Sequence, residues 1–389
     1  MRVLLHTGKG GVGKTSLALA TALAAADRGH RVFLLSTDAA HSLGDALGAP
    51  VGPRAVEVAR GVVAQEVAAL AEVDRSWARI RDWLVGLLGD GAEGGDALVA
   101  EEVLALPGLE ELVSLRALRE VEKSGDFDVC VVDCAPTGSM LRLLRFPDAL
   151  RWFMQGFFET ERRAARLLRP IANRIGAGRF VAPEAVWSAA ESLYDEIREV
   201  RGILLDGKRT SARLVLCPAR VVVDETRRAF AYLSLHGIAC DAVLVNRVLP
   251  SGAGTGYFGG WAARERRELA EIERSFPLPI LTAPLLPREP IGEAALRGLA
   301  AALYAGRDPA RRFAEAHPLR LAKRDAHTVL AIDLPGVARE EVDVTACGDD
   351  LIVSVRDALR RIALPDSLSG RAIRAARLEG GVLEIEFAP

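Results

Sequence analysis

The stretch Gly8-Lys9-Gly10-Gly11-Val12-Gly13-Lys14-Thr15 constrains this chain more than any other. It follows Arg2-Val3-Leu4-Leu5-His6-Thr7, a short apolar run that reads as a buried strand. It precedes a run from Ser16 to Leu23, rich in alanine and leucine, that reads as a helix. Strand, glycine loop and helix are the context that a phosphate-binding loop of the form G-x-x-x-x-G-K-T requires. The glycines let backbone N–H groups turn toward phosphate oxygens, and the helix N-terminus adds partial positive charge. The expected nucleotide contacts are therefore Gly8, Gly10, Gly11, Val12, Gly13, Lys14, Thr15 and Ser16. Lys14 is expected on the β- and γ-phosphates, and the Thr15 hydroxyl on a magnesium ion. The same residues also satisfy G-x-G-x-x-G, a dinucleotide fingerprint. Lysine usage favours the first pattern. The chain has only five lysines, Lys9, Lys14, Lys123, Lys208 and Lys323, and two of them fall within this loop.

An ordinary phosphate loop needs only the second lysine. The form G-K-G-G-V-G-K-T resembles the deviant Walker A loop of a class of dimeric ATPases. That resemblance implies that Lys9 acts in trans on a partner's nucleotide, much as an arginine finger does. Its bland alternative is a solvated loop charge.

His30 to Leu35 reads as a second strand ending in Ser36-Thr37-Asp38-Ala39-Ala40-His41-Ser42-Leu43. The strand–helix–strand order predicts a doubly wound, mostly parallel α/β sheet whose chemistry lies at the C-terminal strand ends. Asp38 is then a candidate to orient or deprotonate water, or else a helix N-cap. The phrase S-T-D-x-A-H-S-L resembles the first switch of the ArsA and tail-anchored-protein-targeting ATPase family. The resemblance implies a catalytic role for Asp38. Ala39 stands where that family commonly has proline.

Residues 50–125 read as two short strands followed by helices, with a Gly-rich, acidic stretch from Gly86 to Gly95. Phe127 to Asp133 reads as another buried strand, and its terminal Asp133 suits a magnesium-binding carboxylate. Asp133-Cys134-Ala135-Pro136-Thr137-Gly138 resembles the family's second switch. Ser139 and Met140 replace its usual histidine and threonine. Cys130 and Cys134 lie about 13 Å apart along a strand, too far for one zinc ion or a disulfide. Residues 141–206 read as helical. Leu150, Phe153, Met154 and Phe157 share a helical face, with Trp152 and Phe158 off it; this is either a packed helix or an apolar client surface. Arg162, Arg163, Arg166 and Arg169 read as a solvated basic face.

Two further strands follow, Arg213 to Cys217 and Ala242 to Asn246. By the resemblance, Asn246 reads the adenine edge, and an amide can donate and accept there. Ala219 departs from the family's glutamate, whereas Glu225 and Arg228 match a downstream E-x-x-R phrase. Leu278 to Leu281 reads as the last sheet strand. The resemblance places Pro284, Leu285, Leu286 and Pro287 over the adenine, and a helix over 292–304 closes a domain of residues 1–305. Its helical subdomain is expected at about 70–125 and 141–206.

Residues 306–325 read as a charged linker. Beyond it the apolar period becomes two: Leu330, Ile332 and Leu334; Leu351, Val353 and Val355; Leu383, Ile385 and Phe387. Short alternating strands with Gly and Pro turns predict a small all-β sandwich over 326–389. Asp333-Leu334-Pro335-Gly336-Val337 and Gly381-Val382-Leu383-Glu384-Ile385 resemble the α-crystallin domain of small heat-shock proteins. Only Asp357-Ala358-Leu359 separates two of its strands, and no assembly tail follows Pro389. The domain is therefore expected as a docked or client-contacting module.

Composition bounds the rest. Half of the 389 residues are hydrophobic, and the net charge is −2, which predicts no nucleic-acid partner. No apolar run approaches a membrane span, and the first strand leaves no room for a secretory signal. Five cysteines without C-x-x-C fit a reducing cytoplasm. The expectation is a cytoplasmic, magnesium-dependent ATPase working as a homodimer. Its coupled task is capture and release of hydrophobic clients such as tail-anchor helices. The alternatives are an oxyanion-efflux motor and a nucleotide-gated scaffold with slow hydrolysis.

Overall fold

The structure, a computed structural model, describes residues 1–38, 42–67, 82, 116–135, 174, 181–250, 252, 258–324, 327–365 and 367–388. By its contacts the chain divides into two units. The first comprises 1–66, 124–137 and 204–389; the second comprises 67–123 and 138–203.

The first unit is built on an eight-stranded sheet of order β3-β4-β2-β5-β1-β6-β7-β8. Its strands are β1 (Arg2–Thr7), β2 (Val32–Ser36), β3 (Val56–Ala59), β4 (Val62–Glu66), β5 (Val129–Asp133), β6 (Thr210–Leu216), β7 (Cys240–Val248) and β8 (Ile280–Pro284). All neighbours pair in parallel except β3 with β4, an antiparallel edge. β2, β5 and β6 are buried along their whole length, as strands covered on both faces must be. The chain leaves β1 toward β2 on one side, and β6 to β8 continue on the other, so the loop after β1 sits where the winding reverses.

Helix α1 (Lys14–Ala26) is apolar almost all round and is buried, which follows from its run of alanine and leucine. Leu19 and Leu23 pack with Leu4, Leu34 and Val131. Leu17 packs on another cluster, with Val215, Leu244, Leu281, Leu299 and Leu303. The helix thus anchors the preceding loop through two parts of the core. A short helix α2 (Ser42–Leu47) follows β2.

In the second unit, α3 (Arg116–Ser124) buries Leu118 and Val121 and pairs its basic face with α4 (Glu184–Leu205). Lys123 lies 2.8 Å from Glu199, and Arg119 bonds Glu199 and Glu196. The expected aromatic face at Leu150, Trp152, Phe153, Met154, Phe157 and Phe158 lies outside the described residues. So do the four arginines after it, the Gly86 to Gly95 stretch and Pro136 to Met140.

Helices α5 (Arg220–Leu235), α6 (Gly259–Ser275) and α7 (Glu293–Tyr304) complete the α/β part. The segment read as a linker differs from that reading. Ala310, Phe313 and their neighbours lie on the sheet, and Leu319–Arg324 forms strand β9. Fully buried Arg213 is the reason. Its guanidinium donates to the carbonyls of Pro309 (2.7 Å) and Arg311 (3.1 Å), and it also lies 4.7 Å from the Phe313 ring centre.

The C-terminal part holds two antiparallel sheets. One has the order β14-β15-β10-β9, and the other β11-β12-β13. Their strands are β10 (His327–Asp333), β11 (Val342–Cys347), β12 (Asp350–Val355), β13 (Ala358–Ala363), β14 (Ile373–Glu379) and β15 (Val382–Phe387). β12 and β15 alternate buried and half-buried residues, the period-two pattern of their sequence. The β12–β13 turn is shorter than expected: Ala358 and Leu359 are already in β13, and Arg356 takes φ +54°.

Candidate functional site

Local sequence shapes the loop between β1 and α1. Gly13 has φ +94° and Gly11 φ +80°, conformations costly for residues with a Cβ. A Cβ on Gly8 would collide with the Val215 carbonyl, and one on Gly13 with the Asn246 side chain. Nothing lies within 4 Å of a Cβ built on Gly10 or Gly11, the open side of the loop. Lys14 is buried, and its ammonium lies 3.4 Å from the Lys9 carbonyl, across the loop.

At the start of α1, the Thr15 hydroxyl donates to Asp133 Oδ2 at 2.7 Å and lies 3.0 Å from the Ser42 hydroxyl. Asp133 ends β5, the strand beside β1, so sheet order brings it to Thr15. Its Oδ1 is buried and has no hydrogen-bond partner. Burial pushes the Asp133 carboxyl up to about 7, while the Thr15 hydroxyl and the Lys14 ammonium pull it down. A buried carboxylate oxygen left over beside two hydroxyls is an oxygen donor set of the kind that magnesium takes. The residues present therefore fit that ion.

Asp38 stands half-buried beyond β2, its N–H 3.3 Å from the Ser36 hydroxyl. Its negative charge helps raise Asp133. The helix N-cap alternative for Asp38 turns on residues 39–41, which lie outside the described residues. The two strand ends are tied together: Thr37 N–H donates to the Asp133 carbonyl at 3.0 Å, and Ala135 N–H to the Thr37 hydroxyl at 3.3 Å. The buried Glu66 carboxylate accepts the Leu43 N–H at 2.7 Å and holds the start of α2. The sequence pattern by itself assigns no role to Ser42 or Glu66. A carboxylate closing an apolar strand was the one available signal for Glu66.

Lys9 points elsewhere. Its ammonium pairs with Glu225 of α5 at 2.9 Å, and both side chains are about a third exposed (38 % and 32 %). Such a pair is worth at most about 1 kcal/mol, so Lys9 is held only loosely. Glu225 belongs to the E-x-x-R phrase. Ala219 occupies the N-cap of α5 with no side-chain hydrogen bond to offer.

On the other side of the loop, Asn246 is buried, and its carboxamide spans two backbones. Nδ2 donates to the Val12 carbonyl at 2.9 Å, and Oδ1 accepts the Arg247 N–H at 2.9 Å. One N–H and one lone pair of the amide remain for a ligand. A cavity of about 350 Å³ opens here, lined by Ser16, Asn246, Arg247, Pro284, Leu285 and Leu286 among others. Asn246, Pro284 and Leu285 thus line one cavity. Arg247 and Leu285 also line a second, mainly apolar cavity with Cys217, Ala219, Phe258 and Trp261.

Comparison with known proteins gives the family. The family profile described as an anion-transporting ATPase of ArsA type matches residues 1–305. The chain belongs to the ArsA ATPase family. A second profile, the HSP20-like domain found in ArsA, matches residues 325–387.

A Chlorobaculum tepidum relative, provisionally named an arsenical pump-driving ATPase, is 33 % identical over 373 residues, covering 95 % of this chain and 92 % of its own. An Aquifex aeolicus relative with a similar provisional name is 30 % identical over 390 residues, 97 % and 98 % of the two chains. The ATPase GET3 of Malassezia globosa is 28 % identical over 247 residues, 62 % of this chain and 71 % of its own. The protein is thus an ATPase of the ArsA family, related to arsenical-pump ATPases and to GET3, with an HSP20-like C-terminal domain. Among the described residues, no helix is long and apolar enough to cross a membrane.

Proposed function

We propose that this ArsA-family chain hydrolyses ATP as a magnesium-dependent homodimer and couples turnover to binding and release of hydrophobic client segments. The observation that carries the reading is the contrast between its two loop lysines. Lys14 is folded into the loop, whereas Lys9 is turned outward and loosely held by Glu225. An outward lysine beside a phosphate loop suits service to a nucleotide on a second copy.

In this reading the N–H groups of Gly8, Gly10, Gly11, Val12 and Gly13, with Lys14 and Ser16, bind the phosphates. Thr15 and Asp133 would hold magnesium, which supplies positive charge against the phosphate oxygens. Asp38 orients the attacking water and accepts its proton. Lys14, and Lys9 from the partner copy, offset the charge that develops on the transferred group. Asn246 reads the adenine edge with its remaining donor and acceptor, and Pro284 and Leu285 cover the base. The HSP20-like domain favours a hydrophobic client in the cytoplasm. An oxyanion-efflux motor is the second reading, favoured by the names of the Chlorobaculum and Aquifex relatives.

The test is steady-state ATP hydrolysis by the full chain, with a soluble peptide carrying an apolar helix, with arsenite, or with neither. Asp38→Asn is the blank. Stimulation by the peptide, absent from the variant, is the expected result. Stimulation by arsenite alone would replace the client reading with the efflux one. A rate indifferent to both, in a protein that sediments as a monomer with nucleotide, would sink the dimeric, coupled reading.

A further inference from the structure

The ladder between β7 and β8 slips between Val245 and Val248, and the slip falls on Asn246 and Arg247. Arg247 takes φ +59°, one of three non-glycine residues in the left-handed region among the described residues. The other two have local reasons: Ala305 caps the end of α7, and Arg356 makes the tight β12–β13 turn. Arg247 lies within a strand and has neither reason. A strained residue in a strand slip is a device for re-aiming a side chain, and such devices gather at binding sites.

The slip sends two consecutive side chains to different places. Asn246 goes inward to the Val12 carbonyl. Arg247 stays exposed on the wall shared by the two cavities. Some exposed arginines meet carboxylates, as Arg320 does with Asp333 and Arg324 with Glu384, whereas others, such as Arg220 and Arg288, do not among the described residues. The Arg247 guanidinium has no hydrogen bond or ion pair among the described residues. Pro284, Leu285 and Leu286 line the same cavity and offer only apolar surface. A planar, weakly hydrated cation that lines one cavity together with such apolar residues suits a flat aromatic ring.

We propose that Arg247 is a nucleotide-binding residue whose guanidinium stacks on the face of the purine. This rests on the nucleotide-site reading above and adds a contact to the base face, distinct from edge reading by Asn246. The strained backbone is then the means by which one strand presents an edge reader and a face reader in succession.

The experiment is equilibrium binding of ADP and of inorganic tripolyphosphate to the full chain by calorimetry. The proteins are the wild type, Arg247→Ala, Arg247→Lys and Arg247→Gly. A lost stack predicts ADP affinity about tenfold weaker for the alanine and glycine variants, with tripolyphosphate affinity unchanged. Lysine should recover little, because it keeps the charge but lacks the planar face. The ADP loss should also persist between about 50 mM and 500 mM salt, where an ionic phosphate contact would be screened. Unchanged ADP affinity in all three variants would overturn the proposal. So would equal losses for ADP and tripolyphosphate, which would make Arg247 a phosphate contact. Wild-type protein that binds tripolyphosphate but not ADP would remove the base site itself, and with it both readings.

Discussion

At the scale of single residues, the phosphate loop separates glycines required by the fold from those left open for a ligand. Gly8 has no room for a Cβ, because the Val215 carbonyl occupies that space and belongs to a central strand that cannot yield cheaply. Gly10 has open space around it and no positive φ. Gly8→Ala is therefore expected to lose about 1–3 kcal/mol of stability, as overpacked backbone does. Gly10→Ala should stay within about 0.5 kcal/mol of wild type. Urea unfolding of both variants without nucleotide checks the contrast, and equal midpoints would contradict it. The phosphate-loop motif pointed to Lys14 and Thr15 and the carboxylate closing β5 to Asp133, and the fold brings Thr15 and Asp133 into contact with Lys14 near them. Arg247 was invisible in the sequence, because one arginine in a strand carries no sign that the ladder slips there.

At the scale of elements, the strap over 306–313 shows how charge misleads a sequence reading. Gly306 to Arg324 is rich in arginine and proline, which reads as solvated chain. Instead, it closes over a buried network. Arg213 reaches Asp241 (3.3 Å) and Tyr304 (3.1 Å) besides the strap carbonyls, and Arg2 shares Asp241 at 3.1 Å. Asp241 also accepts the Phe313 N–H. Arg213→Met removes one side of that network and leaves Asp241 and two strap carbonyls short of donors. The cost expected is about 2–4 kcal/mol, since buried acceptors lose their donor while Asp241 keeps Arg2. Limited proteolysis should then cut within 306–318 before the rest of the chain, and a variant that resists cleavage there as wild type does would disprove the strap. The same arithmetic explains β9. Its leucines, Leu319 and Leu321, alternate properly, but the charged residues between and after them conceal a strand.

At the scale of the first unit as a whole, the C-terminal sheets are fastened to the ATPase domain through α5. The Tyr232 hydroxyl donates to Asp357, Arg360 donates to the Leu235 carbonyl, and Gly237 lies against Leu319. The same helix carries Glu225, the partner of Lys9, nearer its other end. Burial, with the hydrogen bond to Asp357, pushes the Tyr232 hydroxyl from 10.0 up to about 12. The folded state therefore holds this proton more tightly than the unfolded state. Its contribution to stability is complete below pH 10 and is lost as pH rises toward 12. Tyr232→Phe should lower stability at pH 8 by about 1 kcal/mol and flatten the decline above pH 10. Thermal melts across that range test both parts. A variant that follows the wild-type curve throughout would mean that the tyrosine does not fasten the domain.

What the sequence by itself determined was local. The strand–loop–helix context of residues 2–23, the carboxylate closing β5 and the period-two alternation of the last domain are written in neighbouring residues, since backbone periodicity and turn chemistry act over a few positions. What only the tertiary structure decided were pairings across the chain. Thr15 meets Asp133 across 118 positions, Asn246 meets Val12 across 234, and Arg213 gathers the strap. The order of strands and one slip in their register set those pairings. Both are chosen by how the whole core packs, and no short stretch of sequence carries that choice.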